Sequence, residues 1–589
     1  MSADVAGYPR QQRAGVARFL PIAGWLPDYG RRVFRHDLIA GLTVAVMLVP
    51  QSMAYAALAG MPPVTGLYAS IVPLLVYALL GTSGSLAVGP VAITALMTAG
   101  ALAPLADGDP GRYAALAGVL AIMVGAIQVS MGVLRLGAVV NFLSHSVLAG
   151  FTSAAALIIA ASQLKDLFGL DADRAEGFPQ ILASLGRTAA TVHWPTVAVS
   201  VVSLAGLVLL KRFWPKLPGA LLVVAGVTVA SAAFGFGERG VRILTEVPGG
   251  LPVPALPGLS IQDVTALLPA ALTIALVAYM EGIAVAKALA AKSRQRVNPD
   301  TELVAVGGAN VSAGLFGGFP VAGGFSRSAV NMSAGARTPI ATIITALVVA
   351  VTALALTPAF HHLPKAVLAA IVIVAVAGLV DWRSALSAWR ARHVDGIALA
   401  LTFAVTLLLG VEPGLAAGVA FSLGVFLWRS SRPHHAELGR VPGTTTFRNV
   451  ARYDGLITDP RVAVLRVDGP FYFASAQQVG DWVMGIAEQR EALQTIVLDA
   501  SAIGDCDADG AHALTDLSRR LADRGVTLRL ATLRGPVRDL LRRAGVWELL
   551  HSEHRVHPDI GAAVAAAGGA FAGNGSDGSA PPRFSQEVL

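Results

Sequence analysis

Charge is what this sequence has least of. Asp, Glu, Lys and Arg make up 14% of its 589 residues, against 54% hydrophobic ones, where an ordinary soluble protein is roughly a quarter charged. With a mean hydropathy of +0.64, most of the chain does not face water. Cysteine is nearly missing as well. The lone Cys506 excludes a disulfide framework within the chain and a cysteine-based metal site. His36, His145, His361 and His362 fall at the ends of apolar segments without metal-ligand spacing. A zinc centre needs clustered His and Cys ligands, so the expectation is no enzyme, no metal and no cofactor. Nor does the net charge of +7 form a stripe fit for nucleic acid. The basic residues cluster at the ends of apolar segments, which is the pattern that orients membrane spans.

The scarcity is uneven. Long stretches between residues 37 and 430 carry almost no charge, and this region reads as a transmembrane domain. Residues 1–36 hold six arginines but no apolar run ending in a cleavage site, and read as a cytoplasmic segment. After a linker over 431–443, residues 444–567 alternate candidate strands (Arg461–Asp468, Thr495–Asp499, Val526–Leu530) with candidate amphipathic helices (Ala476–Arg490, Ala508–Arg524, Gly535–Ala544). That pattern predicts a small α/β domain. The tail 568–589, rich in Gly, Ser, Ala and Pro, is expected to be disordered.

A membrane helix needs about 20 apolar residues. Ten segments qualify: Leu38–Ala57, Tyr113–Met131, Val139–Ala161, Val197–Leu210, Ala220–Phe234, Val264–Ala291, Ile340–Thr357, Val367–Val380, Gly396–Leu409 and Pro413–Trp428. Four more are short or broken: Leu67–Leu80, Val91–Pro104, Leu303–Phe316 and Ser328–Gly335. In chain order these are spans 1 to 14. Loops after even-numbered spans are basic: Lys211, Arg212 and Lys216 after span 6, Lys292, Arg294 and Arg296 after span 8, Arg383, Arg390 and Arg392 after span 12, Arg429 and Arg432 after span 14. The loop after span 5 mixes Asp166, Asp171, Asp173 and Glu176 with Lys165, Arg174 and Arg187. Basic loops stay inside, so both termini are expected in the cytoplasm, at the cell's inner (plasma) membrane.

Spans 3 and 10 are both interrupted. Span 3 opens at Gly89-Pro90, and span 10 follows Gly317-Gly-Phe-Pro-Val-Ala-Gly-Gly324. Each is the third of seven, and breaks at matching places indicate an inverted repeat with a binding site at the midplane. A half-helix that starts mid-membrane presents unpaired N–H groups and a positive dipole end, a ready site for an anion. An anion between the two starts would meet backbone N–H groups near Val91 and Ser328, with a further donor from Ser326 and a full charge from Arg327. Glycines that merely let helices pack closely are the competing explanation. Glu281 sits inside span 8, where a carboxylate is costly unless paired or neutralised. It is a candidate proton-coupling group, or else a structural ion pair or neutral acid. In Val49-Pro-Gln-Ser-Met-Ala-Tyr55, Pro50 is expected to kink or unwind span 1. Gln51 and Tyr55 share one face, for an oxyanion or for interhelical hydrogen bonding.

These residues together resemble the SulP anion transporters, the sulfate permease family, over nearly the whole chain. The stretch Val49-Pro-Gln-Ser-Met-Ala-Tyr-Ala-Ala-Leu-Ala-Gly-Met-Pro-Pro-Val-Thr-Gly-Leu-Tyr-Ala-Ser70 is similar to the family signature. Gly89-Pro90 resembles the start of its span 3, Glu281-Gly-Ile-Ala-Val-Ala-Lys287 its span 8, and Gly324-Phe-Ser-Arg-Ser-Ala-Val-Asn331 followed by Gly335-Ala-Arg-Thr338 its span 10. The resemblance implies a polytopic α-helical membrane protein of fourteen segments, a 7+7 inverted repeat with core and gate domains. It also implies a homodimer with a cytoplasmic α/β STAS domain. It implies elevator-like alternating access, with the anion held by Gln51, Tyr55, the backbone at Gly89, Pro90 and Val91, and Phe325, Ser326, Arg327 and Ser328.

Sulfate with protons is the expected cargo. Members that use sodium and carry bicarbonate have a hydroxyl residue one turn after the span-8 acid, whereas Val285 stands there. Alternatives are a dicarboxylate or bicarbonate carrier, or an uncoupled anion channel or sensor. In the related anti-sigma antagonists an Asp-x-Ser/Thr-Gly loop is phosphorylated. Here Asp507-Ala-Asp509-Gly510 puts Asp509 at that place, as a fixed charge or a helix cap. Ser501 is the remaining regulatory candidate.

Overall fold

The computed structural model describes residues 21–22, 26–137, 144–172, 178–214, 217–244, 248–258, 260–293, 297–380 and 382–569. Most of the Arg-rich start, most of the tail, and Asp173, Arg174, Glu176, Lys216, Arg294 and Arg296 lie outside the described residues. The chain forms two compact units, Met1–Ser422 and Leu423–Leu589.

In the first unit each expected span has its helix. Span 1 is Arg31–Leu58, span 2 is Pro63–Tyr68 followed by Val72–Leu80, and span 3 is Ala92–Leu102. Spans 4 to 7 are Pro110–Val133, His145–Phe168, Trp194–Phe213 and Gly219–Phe234. Spans 8 to 11 are Ile261–Ser293, Pro299–Leu315, Phe325–Ser333 and Ile340–Val351. Spans 12 to 14 are Lys365–Val376, His393–Leu409 and Val411–Ser430, the last running across the boundary between the units. Among the described residues, eight helices are long and apolar enough to cross a membrane. Their ends follow local chemistry. Asp109 and Asn298 cap spans 4 and 9 through their side chains, each followed by a proline at the first helical position. Gly169 and Gly235 end spans 5 and 7 in the left-handed region.

The described helix of span 5 begins at His145, with the Ser144 hydroxyl accepting from Val147 N–H; its expected start, Val139, lies outside the described residues. Two expectations shift. Span 10 begins at Phe325 rather than Ser328, because Gly324 is extended and supplies the N-cap position. Pro50 does not unwind span 1, whose helix runs unbroken from Arg31 to Leu58. Two further helices, Phe178–Arg187 between spans 5 and 6 and Trp382–Ala391 between spans 12 and 13, occupy matching places in the two halves.

Spans 4 and 9 meet through glycines spaced seven apart. A Cβ at Gly125 would lie 2.5 Å from the carbonyl oxygen of Gly307, and one at Gly314 would lie 2.3 Å from that of Gly118. Only glycine lets the two backbones come this close, which is how membrane helices gain packing contact.

The extended residues before spans 3 and 10 pair with each other. β1 (Val88–Gly89) and β2 (Ala322–Gly323) form an antiparallel pair, Val88 opposite Gly323 and Gly89 opposite Ala322. Nothing in the sequence announces a pairing over so long a separation.

The second unit holds a six-stranded sheet of β3 (His434–Arg440), β4 (Phe447–Asn449), β5 (Val462–Asp468), β6 (Thr495–Asp499), β7 (Thr527–Ala531) and β8 (Val556–His557), in the order β4-β3-β5-β6-β7-β8. Strands β5 to β8 run parallel; β3 runs antiparallel to both neighbours. The stretch read as a linker over 431–443 is therefore largely a strand inside the sheet. Its Ala436 and Leu438 are buried beneath the helix Ile560–Ala566.

Candidate functional site

The β1–β2 pair brings the starts of spans 3 and 10 together in one place. Neither start is closed by a capping side chain: Val91 and Gly324 are the N-cap residues, both extended. The N–H groups of Ala95 and Ser328 already bond back to Val91 and Gly324. The three N–H groups before each have no intrahelical acceptor. On the span-10 side these belong to Phe325, Ser326 and Arg327. The expectation that the Ser328 N–H serves an anion is thereby corrected. The Ser328 hydroxyl is occupied too, donating to Gly324 O at 2.7 Å and accepting from Ala87 N–H at 2.8 Å. Ser328 ties the span-10 start to the arm before span 3.

Arg327 joins the two starts. Its Nη1 donates to the carbonyl of Pro90 at 2.5 Å. Its side chain is only 2% exposed, and Nε and Nη2 have no hydrogen-bond partner. Glycine makes room for this guanidinium. A Cβ at Gly324 would lie 2.9 Å from Nη2, and one at Gly89, whose φ is +152°, would lie 3.4 Å from it. Most buried polar groups in folded proteins are paired, so two free cationic donors between two uncapped helix starts form a site with unused capacity for an anion.

Acceptors around it are also free. Glu281 Oε2, Gln51 Oε1 and Asn331 Oδ1 are buried without a partner. Glu281 and Tyr55 lie within electrostatic reach of Arg327, yet Glu281 forms no direct ion pair with it. Glu281 is delivered by a close approach of span 8 to β2, where a Cβ at Gly323 would lie 2.9 Å from the Cα of Gly282. Gln51 and Tyr55 are both buried. Phe325 is 59% exposed and Ser326 is exposed beside it, so these two form the open edge. No group of three His, Cys, Asp or Glu side chains among the described residues is placed to hold a metal.

Sequence reasoning missed several residues. Buried Asp37 accepts from Arg337 N–H at 2.7 Å, Thr338 N–H at 3.2 Å and the Thr338 hydroxyl, pinning the turn after span 10. Glu302 and Asn310 of span 9 hold the two extended arms. Asn331 follows Arg327 by one helical turn and donates to Ser85 O at 3.1 Å. Carboxylates near span ends resemble ordinary loop charges, so only the buried geometry sets them apart.

In the second unit the helix Ala508–Ala522 is capped by Asp507, whose carboxylate accepts from Gly510 N–H at 2.7 Å and from Phe473 N–H at 3.1 Å. Asp509 is not the cap. It is exposed in the first turn, where a negative charge meets the positive end of the helix dipole. Ser501 donates its hydroxyl to Asp499 at 2.9 Å.

Comparison with known proteins divides the chain into the same two parts. The sequence profile described as the sulfate permease family matches residues 34–402, and that of the STAS domain matches residues 456–563. The chain is 36% identical over 565 residues to sulfate transporter 4.1, chloroplastic, of Arabidopsis thaliana, covering 92% of this chain and 82% of that one. It is 37% identical over 539 residues to a probable sulfate transporter of Mycobacterium tuberculosis, covering 90% and 96%. Among solved structures, the murine Solute Carrier 26 family member A9 anion transporter in the inward-facing state superposes with a TM-score of 0.89 at 26% identity, over 95% of this chain and 96% of that one.

Proposed function

The chain belongs to the sulfate permease family, and on that footing we propose that it is a secondary active transporter that takes up sulfate together with protons. The observation that carries this reading is Arg327, a buried guanidinium with two free donors set between two uncapped helix starts. Charge-assisted hydrogen bonds to an oxyanion are the strong kind, and backbone N–H groups at helix starts add to them. Gln51 and Tyr55 line the pocket from span 1. Gly89, Pro90 and Val91 line it from the span-3 arm, and Phe325 and Ser326 form its open edge. The names of the two relatives above favour sulfate as the cargo.

Glu281 is the coupling group in this reading. When it is protonated the pocket holds only the charge of Arg327, which suits a dianion. When it is ionised the pocket is neutral overall and releases the anion more readily. The cycle is alternating access about a site at the midplane, in the plasma membrane with both termini in the cytoplasm.

The test is sulfate uptake by the full chain in proteoliposomes under an imposed pH gradient. An inward proton gradient should raise uptake in the wild type and leave Glu281→Gln indifferent. Wild-type uptake that ignores the gradient refutes the coupling. Uptake of fumarate, bicarbonate or chloride without sulfate refutes the substrate.

A further inference from the structure

The β1–β2 pair has two residues on each side, too few to hold the arms in place unaided. Both arms are also tied to one helix, span 9. Near its start, Glu302 is 2% exposed. Its Oε1 accepts from Thr82 N–H at 2.7 Å, Ser83 N–H at 3.0 Å and the Thr82 hydroxyl, and its Oε2 accepts from the Tyr77 hydroxyl at 2.9 Å. Thr82 and Ser83 open the arm that leads into β1 and span 3. About two turns further along, Asn310 is fully buried. It accepts from Val321 N–H at 2.8 Å and donates to Val321 O at 3.0 Å. Val321 precedes β2 and span 10. The same Asn310 donates to Gln128 of span 4 at 3.0 Å, and Gln128 donates to Ala275 O of span 8 at 3.0 Å.

Span 9 is itself held fast. Its Gly307 and Gly314 lock against Gly125 and Gly118 of span 4 at backbone contact. One rigid helix therefore carries an anchor for each broken span, with Glu302 and Asn310 eight residues apart, about 12 Å along the axis.

We propose that span 9 is the template that sets the gap between the two helix starts, and that Glu302 and Asn310 are positioning residues that make the site selective for the size of the anion. The proposal rests on the reading that the anion binds between those starts. Releasing either arm lets the gap vary while Arg327 still supplies the charge. Affinity for sulfate then falls and discrimination by size weakens. A purely structural role would lower the amount of active protein equally for every anion and leave the ratio of KM values alone.

The experiment is uptake by the full chain in proteoliposomes with sulfate, the larger tetrahedral dianion molybdate, and chloride. In Glu302→Ala and Asn310→Ala the sulfate KM should rise about tenfold, the scale of one lost buried hydrogen-bond partner. The sulfate-to-molybdate ratio of KM values should move toward one. Glu302→Gln keeps an acceptor oxygen for the arm and should restore both values. Ratios unchanged in folded alanine variants overturn the template. If Glu302→Ala does not fold, Thr82→Val and Tyr77→Phe each remove one hydroxyl donor and should move the ratio the same way by less; a flat result there overturns it equally. Arg327→Ala separates the two readings. Anion binding that survives it refutes the site itself. Binding that depends on Arg327, with unmoved ratios in the Glu302 and Asn310 variants, refutes only the template.

Discussion

The guanidinium of Arg327 donates to the carbonyl of Pro90 at 2.5 Å across the two halves of the membrane unit, and keeps Nε and Nη2 free. One residue thus links both broken spans and keeps two donors for the anion proposed above. Lysine has a single ammonium in place of the planar fork. Arg327→Lys can satisfy Pro90 or the anion but not both geometries, so sulfate KM should rise about tenfold with little loss of folded protein. Uptake kinetics in proteoliposomes check this.

Gly324 tests the same relationship from the other side. A Cβ there would lie 2.9 Å from Nη2 and 3.1 Å from Cζ of Arg327. Gly324→Ala should displace the guanidinium and weaken sulfate binding without removing any charge. Ser326→Ala, at the open edge, should be milder than either change. A sulfate titration of each purified variant ranks the three.

The packing of spans 4 and 9 makes a stability prediction. A Cβ at Gly307 would lie 2.8 Å from the carbonyl oxygen of Gly125, so Gly307→Ala must part the helices. Overpacking of this kind costs about 1–3 kcal/mol. Thermal unfolding in detergent should fall for Gly307→Ala and stay level for Gly226→Ala, where the added carbon meets nothing within 4 Å.

Asp507 predicts a smaller loss. Asp507→Ala removes the N-cap of the helix Ala508–Ala522 and should cost about 1 kcal/mol, with Asp507→Asn or Ser recovering most of it. Asp509→Ala should cost less, since its side chain makes no cap. Denaturant unfolding of the full chain, followed by the fluorescence of Trp482 and Trp547 in otherwise Trp-free protein, reads this out.

Cys506 gives a chemical test. Burial, and then the charges of Asp507 and Asp505, push its thiol up to about 11. The thiolate is the reactive form, and at pH 8 it is then only about one part in a thousand. The native protein should resist maleimide and label promptly once denatured, with the native rate rising as pH approaches 11. Fast labelling at pH 7 would contradict this placement.

Much of the membrane fold is legible as uninterrupted apolar runs, and the matched breaks in spans 3 and 10 point to where the chain departs from simple helices. The start of span 10 is harder to read, because Phe325-Ser326-Arg327 carries no apolar run. The β1–β2 pair is invisible locally, since its partners lie far apart in the chain and hold two residues each. Strand β3 is hidden because only Ala436 and Leu438 mark its buried face. The helices Phe178–Arg187 and Trp382–Ala391 are amphipathic and carry arginine, so they read as loops. Glu302 and Asp37 show their importance only through the donors that converge on them.

The central claim is that the anion is held by Arg327 between the starts of spans 3 and 10. Equilibrium binding of radiolabelled sulfate to the purified full chain tests it directly. The wild type should bind saturably, and Arg327→Ala should bind about tenfold or more weakly while unfolding at the wild-type temperature. Wild-type affinity in a folded Arg327→Ala variant would contradict the account.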